Sequence, residues 1–320
     1  MLAFAAEMVK QRGGAFARRQ EVGMRFGEGL IAVDWGTTNR RGYRLDAGGR
    51  LVDETEDDKG ILSVPAGGFP AAVAELRERL GDLPMLLAGM VGSNRGWIEA
   101  PYVPCPASGG ELAAHIVWAE EERTAIVPGL SFLNDRRADV MRGEEVQMFG
   151  ALAAGSIEAD SLVCHPGTHN KWVTLEGGRV TRFRTVMTGE LFSLLKEHSI
   201  LSDLLQASDV AAGAAFEAGV LHGLSDEDVT AELFSVRARV LLDQAERGDA
   251  ASYTSGLLIG TDLRTGLRHA PEGRKIAVMG RPELTSLYAA ALQTAGYAAR
   301  EVDGEESFLA GVRSLAEALR

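Results

Sequence analysis

The run Leu30-Ile31-Ala32-Val33-Asp34-Trp35-Gly36-Thr37-Thr38-Asn39-Arg40 carries an apolar strand into a glycine-threonine turn, and Ser161-Leu162-Val163-Cys164-His165-Pro166-Gly167-Thr168-His169-Asn170-Lys171 repeats that plan without a gap. Gly-Thr-x-Asn followed by a cation stands in both. Each turn re-enters an alternating stretch, Gly42-Tyr43-Arg44-Leu45 or Trp172-Val173-Thr174-Leu175, the pattern of a hairpin's return arm. A Gly-Gly tip at Gly48-Gly49 or Gly177-Gly178 then leads to a third strand, Leu51 to Thr55 or Val180 to Thr185. Each half therefore opens with a three-strand antiparallel meander, and an internal repeat of this kind predicts two similarly built domains.

Beyond each meander the period changes to helices alternating with short strands, which predicts an α/β fold. Helix Pro70 to Leu80 and strands Met85 to Ala88 and Thr124 to Val127 follow in the first half. In the second, a helical stretch from Leu191 to Asp243 precedes strand Lys275 to Met279, helix Pro282 to Ala295, strand Ala298 to Val302 and helix Glu305 to Leu319. The small and polar cluster Ala154 to Asp160 marks the boundary, giving an N-terminal extension over 1–28, one domain over 29–155 and another over 156–320. The extension lacks the apolar block of a secretory signal and is expected to be disordered or weakly helical, with Met24 as an alternative start.

A length of 320 residues allows two cores with a cleft between them. The net charge of −12 argues against a nucleic-acid partner, whose binding is driven by Lys and Arg meeting phosphates. With 46% apolar residues and no run near the roughly 18 needed for a span, a membrane role is not expected. Cys105 and Cys164 stand far apart, without thiol or imidazole partners at zinc spacing, so the reading is a cytoplasmic protein without a structural metal.

A Gly-Thr turn offers backbone N–H groups with no Cβ in the way, plus a hydroxyl, which is what phosphate oxygens need. Two facing turns, Gly36-Thr37-Thr38-Asn39 and Gly167-Thr168-His169, could clasp a triphosphate from both sides. Asp34, at the end of its strand, suits Mg²⁺ bridging phosphate oxygens. His165 and His169 flank a Pro-Gly turn and suit hydrogen bonding better than metal ligation. Arg40 and Lys171 follow the turns and either meet phosphate charge or point to solvent. Val278-Met279-Gly280-Arg281-Pro282 is a third glycine turn, from strand to helix, where an adenosine could lie against Gly280.

Together these segments resemble the superfamily of acetate and sugar kinases, heat-shock chaperones and actin, whose two ribonuclease-H-like domains close over ATP. A closer resemblance, from Leu30 to the C-terminus, is to the 2-dehydro-3-deoxygalactonokinase family. It is carried by Asp34 to Asn39; Ala88 to Asn94, continuing through Gly96-Trp97 to Tyr102; Val140 to Glu145; Pro166 to Val173; and Arg184 to Leu191. The extension before Met24 and Arg281, where many superfamily members have a second glycine, depart from the pattern.

The resemblance implies transfer from ATP, with Mg²⁺, to the 6-hydroxyl of 2-dehydro-3-deoxy-D-galactonate. Such a reaction needs a base near the hydroxyl and groups for the sugar carboxylate. Asp139, Glu144 and Glu145 are the base candidates, and the family motif favours Glu144, then Glu145. Helical spacing separates the two glutamates by about 100°, so only one points into a cleft. Ser93, Asn94, Arg95 and Trp97 suit a sugar-acid wall, with Arg95 or Arg142 on the carboxylate. Another sugar-acid kinase, a polyphosphate or nucleotide phosphatase, or an ATP-dependent filament could use the same turns.

Overall fold

The computed structural model describes residues 26–225, 228–268 and 273–319. Met24 and most of the 1–28 extension lie outside them. Phe26 does not: it is buried in the core, stacked on Trp118 at 6.5 Å between ring centroids.

The first half contains β1 (Gly29–Trp35), β2 (Arg40–Asp46), β3 (Leu51–Asp57), α1 (Phe69–Leu80), β4 (Met85–Gly89), β5 (Tyr102–Pro104), α2 (Gly109–Ala114), β6 (Val117–Glu120), β7 (Thr124–Ile126), β8 (Gly129–Asn134), β9 (Arg137–Met141) and α3 (Glu144–Ala153). The second contains β10 (Ser161–His165), β11 (Asn170–Glu176), β12 (Arg179–Val186), α4 (Thr188–His198), α5 (Ser202–Leu205), α6 (Ala214–Ser225), α7 (Val229–Leu241), α8 (Ala250–Leu267), β13 (Lys275–Gly280), α9 (Pro282–Thr294), β14 (Ala299–Asp303) and α10 (Gly304–Ala318).

The repeat read in the sequence is a repeat of sheet topology. The first sheet runs β3-β2-β1-β4-β7-β6 and the second β12-β11-β10-β13-β14. In both, the first three strands are antiparallel and the next two run parallel to the central one. This is the ribonuclease-H-like arrangement expected of each half. The central strands are apolar almost throughout because helices cover both sheet faces. The α1 face Phe69, Val73, Leu76 and Leu80, at helical spacing, packs on Ile31, Val33 and Trp35. One expectation is corrected, and one sheet was not anticipated. The single stretch Leu191 to Asp243 is four helices, α4 to α7, and a small sheet β5-β8-β9 stands beside the first.

What joins the halves is an exchange of helices. The last helix of the chain, α10, crosses α3, and the two backbones meet at glycines. A Cβ on Gly150 would lie 1.8 Å from Ser307 O, and one on Gly311 would lie 2.1 Å from Val146 O. Around this crossing one core takes in Tyr43 and Leu45 from the first sheet, Val163 and Val173 from the second, and Phe308, Val312 and Leu315 from α10.

Neither glycine can gain a methyl without parting the helices. Gly150→Ala or Gly311→Ala should therefore lower stability by about 1–3 kcal/mol or more. In a thermal melt either should fall well below Gly110→Ala, where a Cβ meets nothing within 4 Å.

Candidate active site

Strand register places the polar residues in two facing rows. On the first sheet Asp34 pairs with Arg41 and Arg41 with Glu56, one residue from each of β1, β2 and β3. On the second, His165 pairs with Lys171 and Lys171 with Thr185, one from each of β10, β11 and β12. Direct cross-strand neighbours share a sheet face, so each row is continuous. Arg41 lies 3.6 Å from Asp34 and 3.8 Å from Glu56.

Each residue of the second row is held from the first half. Glu144 Oε1 stands 3.0 Å from Lys171 Nζ, and Gln147, one turn further along α3, meets His165 Nε2 at 2.9 Å through Oε1. Asp139 accepts from both the backbone N and Oγ1 of Thr185 at 2.7 Å. The first row is held in return by α10, since Tyr43 OH donates to Glu305 at 2.9 Å and Arg41 comes within 3.9 Å of the same carboxylate.

A cavity of about 610 Å³ is lined by the whole first row, by His165 from the second, and by Gly167, Thr168 and Gly280, whereas Lys171, Thr185, Glu144 and the turn Gly36 to Asn39 are not in its wall. It opens at the carboxyl ends of β1, β10 and β13, where ligands of parallel sheets bind. Arg281, from the third glycine turn, reaches across its mouth to Glu56 at 3.5 Å.

A glycine braces each turn from behind. Gly60 N donates to Thr38 O and Ile61 N to Gly36 O, and a Cβ on Gly60 would lie 2.3 Å from Thr37 O. Glu190 N donates to Thr168 O, and a Cβ on Gly189 would lie 2.4 Å from Gly167 O. Thr37, Thr38, Asn39, Thr168 and His169 are left exposed at the tips.

A family model described as 2-keto-3-deoxy-galactonokinase matches residues 34–315, starting at the first-row carboxylate. The 2-dehydro-3-deoxygalactonokinase of Escherichia coli (strain K12) is 36% identical over 291 residues, covering 90% of this chain and 98% of its own. This chain belongs to the 2-keto-3-deoxy-galactonokinase family. A crystal structure from Sinorhizobium meliloti assigned to the same kinases superposes with a TM-score of 0.85 at 36% identity, covering 90% of this chain and 98% of that one. Component A of the (R)-2-hydroxyglutaryl-CoA dehydratase of Acidaminococcus fermentans has a TM-score of 0.50 at 13% identity, covering 91% and 99%, and shares the fold alone.

Within this family member the three acids separate clearly. Asp139 is spent on Thr185. Glu145 is fully buried, and both its oxygens accept from Gly143 N at 2.8 Å. Burial pushes its carboxyl up to about 8, with the Glu144 charge adding to the rise. Burial would also raise Glu144, but Lys171 and His165 outweigh it and hold that carboxyl below its ordinary value. Burial raises Asp34 against the pull of Arg41, and burial lowers His165 against the pull of Glu144.

Other candidates move. Arg40 does not face the cavity: it is buried, paired with Asp57 at 2.7 Å and set over Trp35. Arg41 takes its place, because the first turn holds one residue more than the second between the Asp34–Arg41 and His165–Lys171 pairs. That shift was detectable only from pairing register. Lys171 is buried and also donates to His169 O, while His169 pairs with Glu190 at 2.5 Å. Ser93 Oγ donates to Met90 O, and Trp97 stacks on Phe69. Arg142 lies over Tyr102 and donates to Ala100 O, with Nε and Nη1 enclosed and unpartnered. These three hold the 90–102 loop in place, and Asn94 and Arg95 are exposed on it, as are Glu99, Pro101 and Tyr102.

The raised Glu145 carboxyl predicts a pH effect of definite sign. The folded chain keeps this proton up to about pH 8, whereas the unfolded chain loses it near 4.5. Stability from this group is thus complete at acid pH and lost as pH rises through that interval. Glu145→Gln should melt higher than the wild type near pH 9, and the difference should close toward pH 5.

Proposed function

We propose that the chain transfers the γ-phosphate of ATP to the 6-hydroxyl of 2-dehydro-3-deoxy-D-galactonate. The observation that carries this reading is one cavity walled by Asp34, Arg41 and Glu56 from the first sheet and by His165 and the braced Gly167-Thr168 turn from the second, in a chain of this family. The proposed domains are 29–155 and 156–320, and the proposed location is the cytoplasm.

In this scheme the turns Gly36 to Asn39 and Gly167 to His169 hold the triphosphate, and Gly280 abuts the adenosine. Asn94 and Arg95 meet the sugar acid, Arg95 its carboxylate, while Ser93, Trp97 and Arg142 keep their loop in place. Asp34 suits Mg²⁺: one hard carboxylate from the wall of the cavity, with phosphate and water oxygens completing the shell, is an ordinary donor set for that ion. When bound, Mg²⁺ would neutralise phosphate charge.

Glu144 takes the proton of the 6-hydroxyl as that oxygen bonds to the γ-phosphorus, and the bond to the β-phosphate oxygen breaks to release ADP. Lys171 is placed to exchange its Glu144 partner for phosphate, which leaves the carboxylate free to act. Closure around the substrate excludes water and limits wasteful hydrolysis. The family match supports transfer to a sugar acid over hydrolysis.

An ADP-release assay over 2-keto-3-deoxy acids, including the galactonate and gluconate epimers, should show turnover with the galactonate. No release with any sugar acid would refute the activity. Glu144→Gln should lower kcat by about 10²- to 10⁴-fold while ATP binding stays within a few-fold. Unchanged turnover would remove Glu144 from the role of base.

A further inference from the structure

Asp262 lies midway along α8, fully buried and outside the cavity. Its carboxylate accepts four hydrogen bonds. Asn170 Nδ2 at 2.7 Å, Thr188 Oγ1 at 2.6 Å and Tyr288 OH at 2.6 Å share Oδ2, and Trp172 Nε1 reaches Oδ1 at 2.8 Å. No Lys or Arg pairs with it among the described residues. A buried carboxylate without a cation is costly unless its lone pairs are filled, so the four donors are what make it tolerable.

The donors divide by what they are attached to. Trp172 and Tyr288 belong to the core between the second sheet and its helices, where the Trp172 ring lies so close over Gly266 that a Cβ there would be 2.0 Å from Cδ2. Asn170 and Thr188 belong to the phosphate side. Asn170 closes the Gly167-Thr168-His169 turn and precedes Lys171. Thr188 begins α4, whose next residues brace the same turn through the Gly189 contact with Gly167 and the Glu190 hydrogen bond to Thr168.

We propose that Asp262 is a positioning residue for phosphate transfer: by holding Asn170 and Thr188 from one carboxylate oxygen, it sets the turn against its brace. This rests on the reading that the turn binds ATP phosphates. It also gives a role to the Arg184 to Leu191 block, none of whose residues was assigned a part in the chemistry.

The test compares two variants that each remove one donor from the same oxygen. Thr188→Val removes the phosphate-side hydroxyl, and Tyr288→Phe removes the core-side one. Both should lower the melting temperature. Only Thr188→Val should weaken binding of a non-hydrolysable ATP analogue, by about tenfold, and raise KM for ATP to match, with KM for the sugar acid within twofold. Thr188→Ser should restore both. Asn170→Ser carries the same prediction should Thr188→Val not fold. Equal weakening by Thr188→Val and Tyr288→Phe, or unchanged analogue binding in Thr188→Val, would overturn the proposal. Because analogue binding needs no sugar acid, this test can fail or succeed whether or not the proposed substrate is the right one. A wild type that binds no analogue would refute the nucleotide reading itself.

Discussion

The crossing of α3 and α10 at Gly150 and Gly311 is the constraint on which the rest depends. Each helix reaches the other half's hairpin, α10 while still in contact with its own β13 and β14. α3 brings Glu144 and Gln147, three residues apart and so on one helical face, to Lys171 and His165, which are direct partners across β10 and β11. α10 brings Glu305 to Arg41 and Tyr43. Were the helices held further apart by side chains at the crossing, these contacts would lose register together.

The exchange also accounts for the electrostatics of the cleft. Each hairpin contributes one cation, Arg41 or Lys171, and each cation is matched by an acid from its own sheet or from the exchanged helix. Arg41 has Asp34, Glu56 and Glu305 around it, and Lys171 has Glu144. A nucleotide phosphate entering the cavity competes for cations already paired. On the proposed reading its arrival would redistribute charge among Asp34, Glu144 and the two cations.

The fold was legible because its deciding features are local. A strand, a Gly-Thr turn and a return arm can be read from about eleven residues, and two copies pointed to the three-strand meander that opens each sheet. The placement of the candidate residues was not legible by atom. Arg40 and Arg41 are chemically alike, and only a one-residue difference in turn length, with the strict alternation of strand side chains, selects Arg41 for the cavity. Glu144 and Glu145 likewise differ by a helical rotation that needs the position of α3 to interpret. Asp262 was not found at all. A lone Asp in a helical stretch carries no local signal, since all four of its partners come from other elements.

The central claim is that two pseudo-equivalent turns on exchanged, glycine-locked halves clasp one triphosphate. A crystal structure with Mg²⁺ and a non-hydrolysable ATP analogue tests it most directly. The account predicts phosphates between Gly36 to Asn39 and Gly167 to Lys171, the metal beside Asp34, and Lys171 turned from Glu144 to phosphate. A nucleotide bound outside this cavity, or touching only one of the two turns, would contradict it.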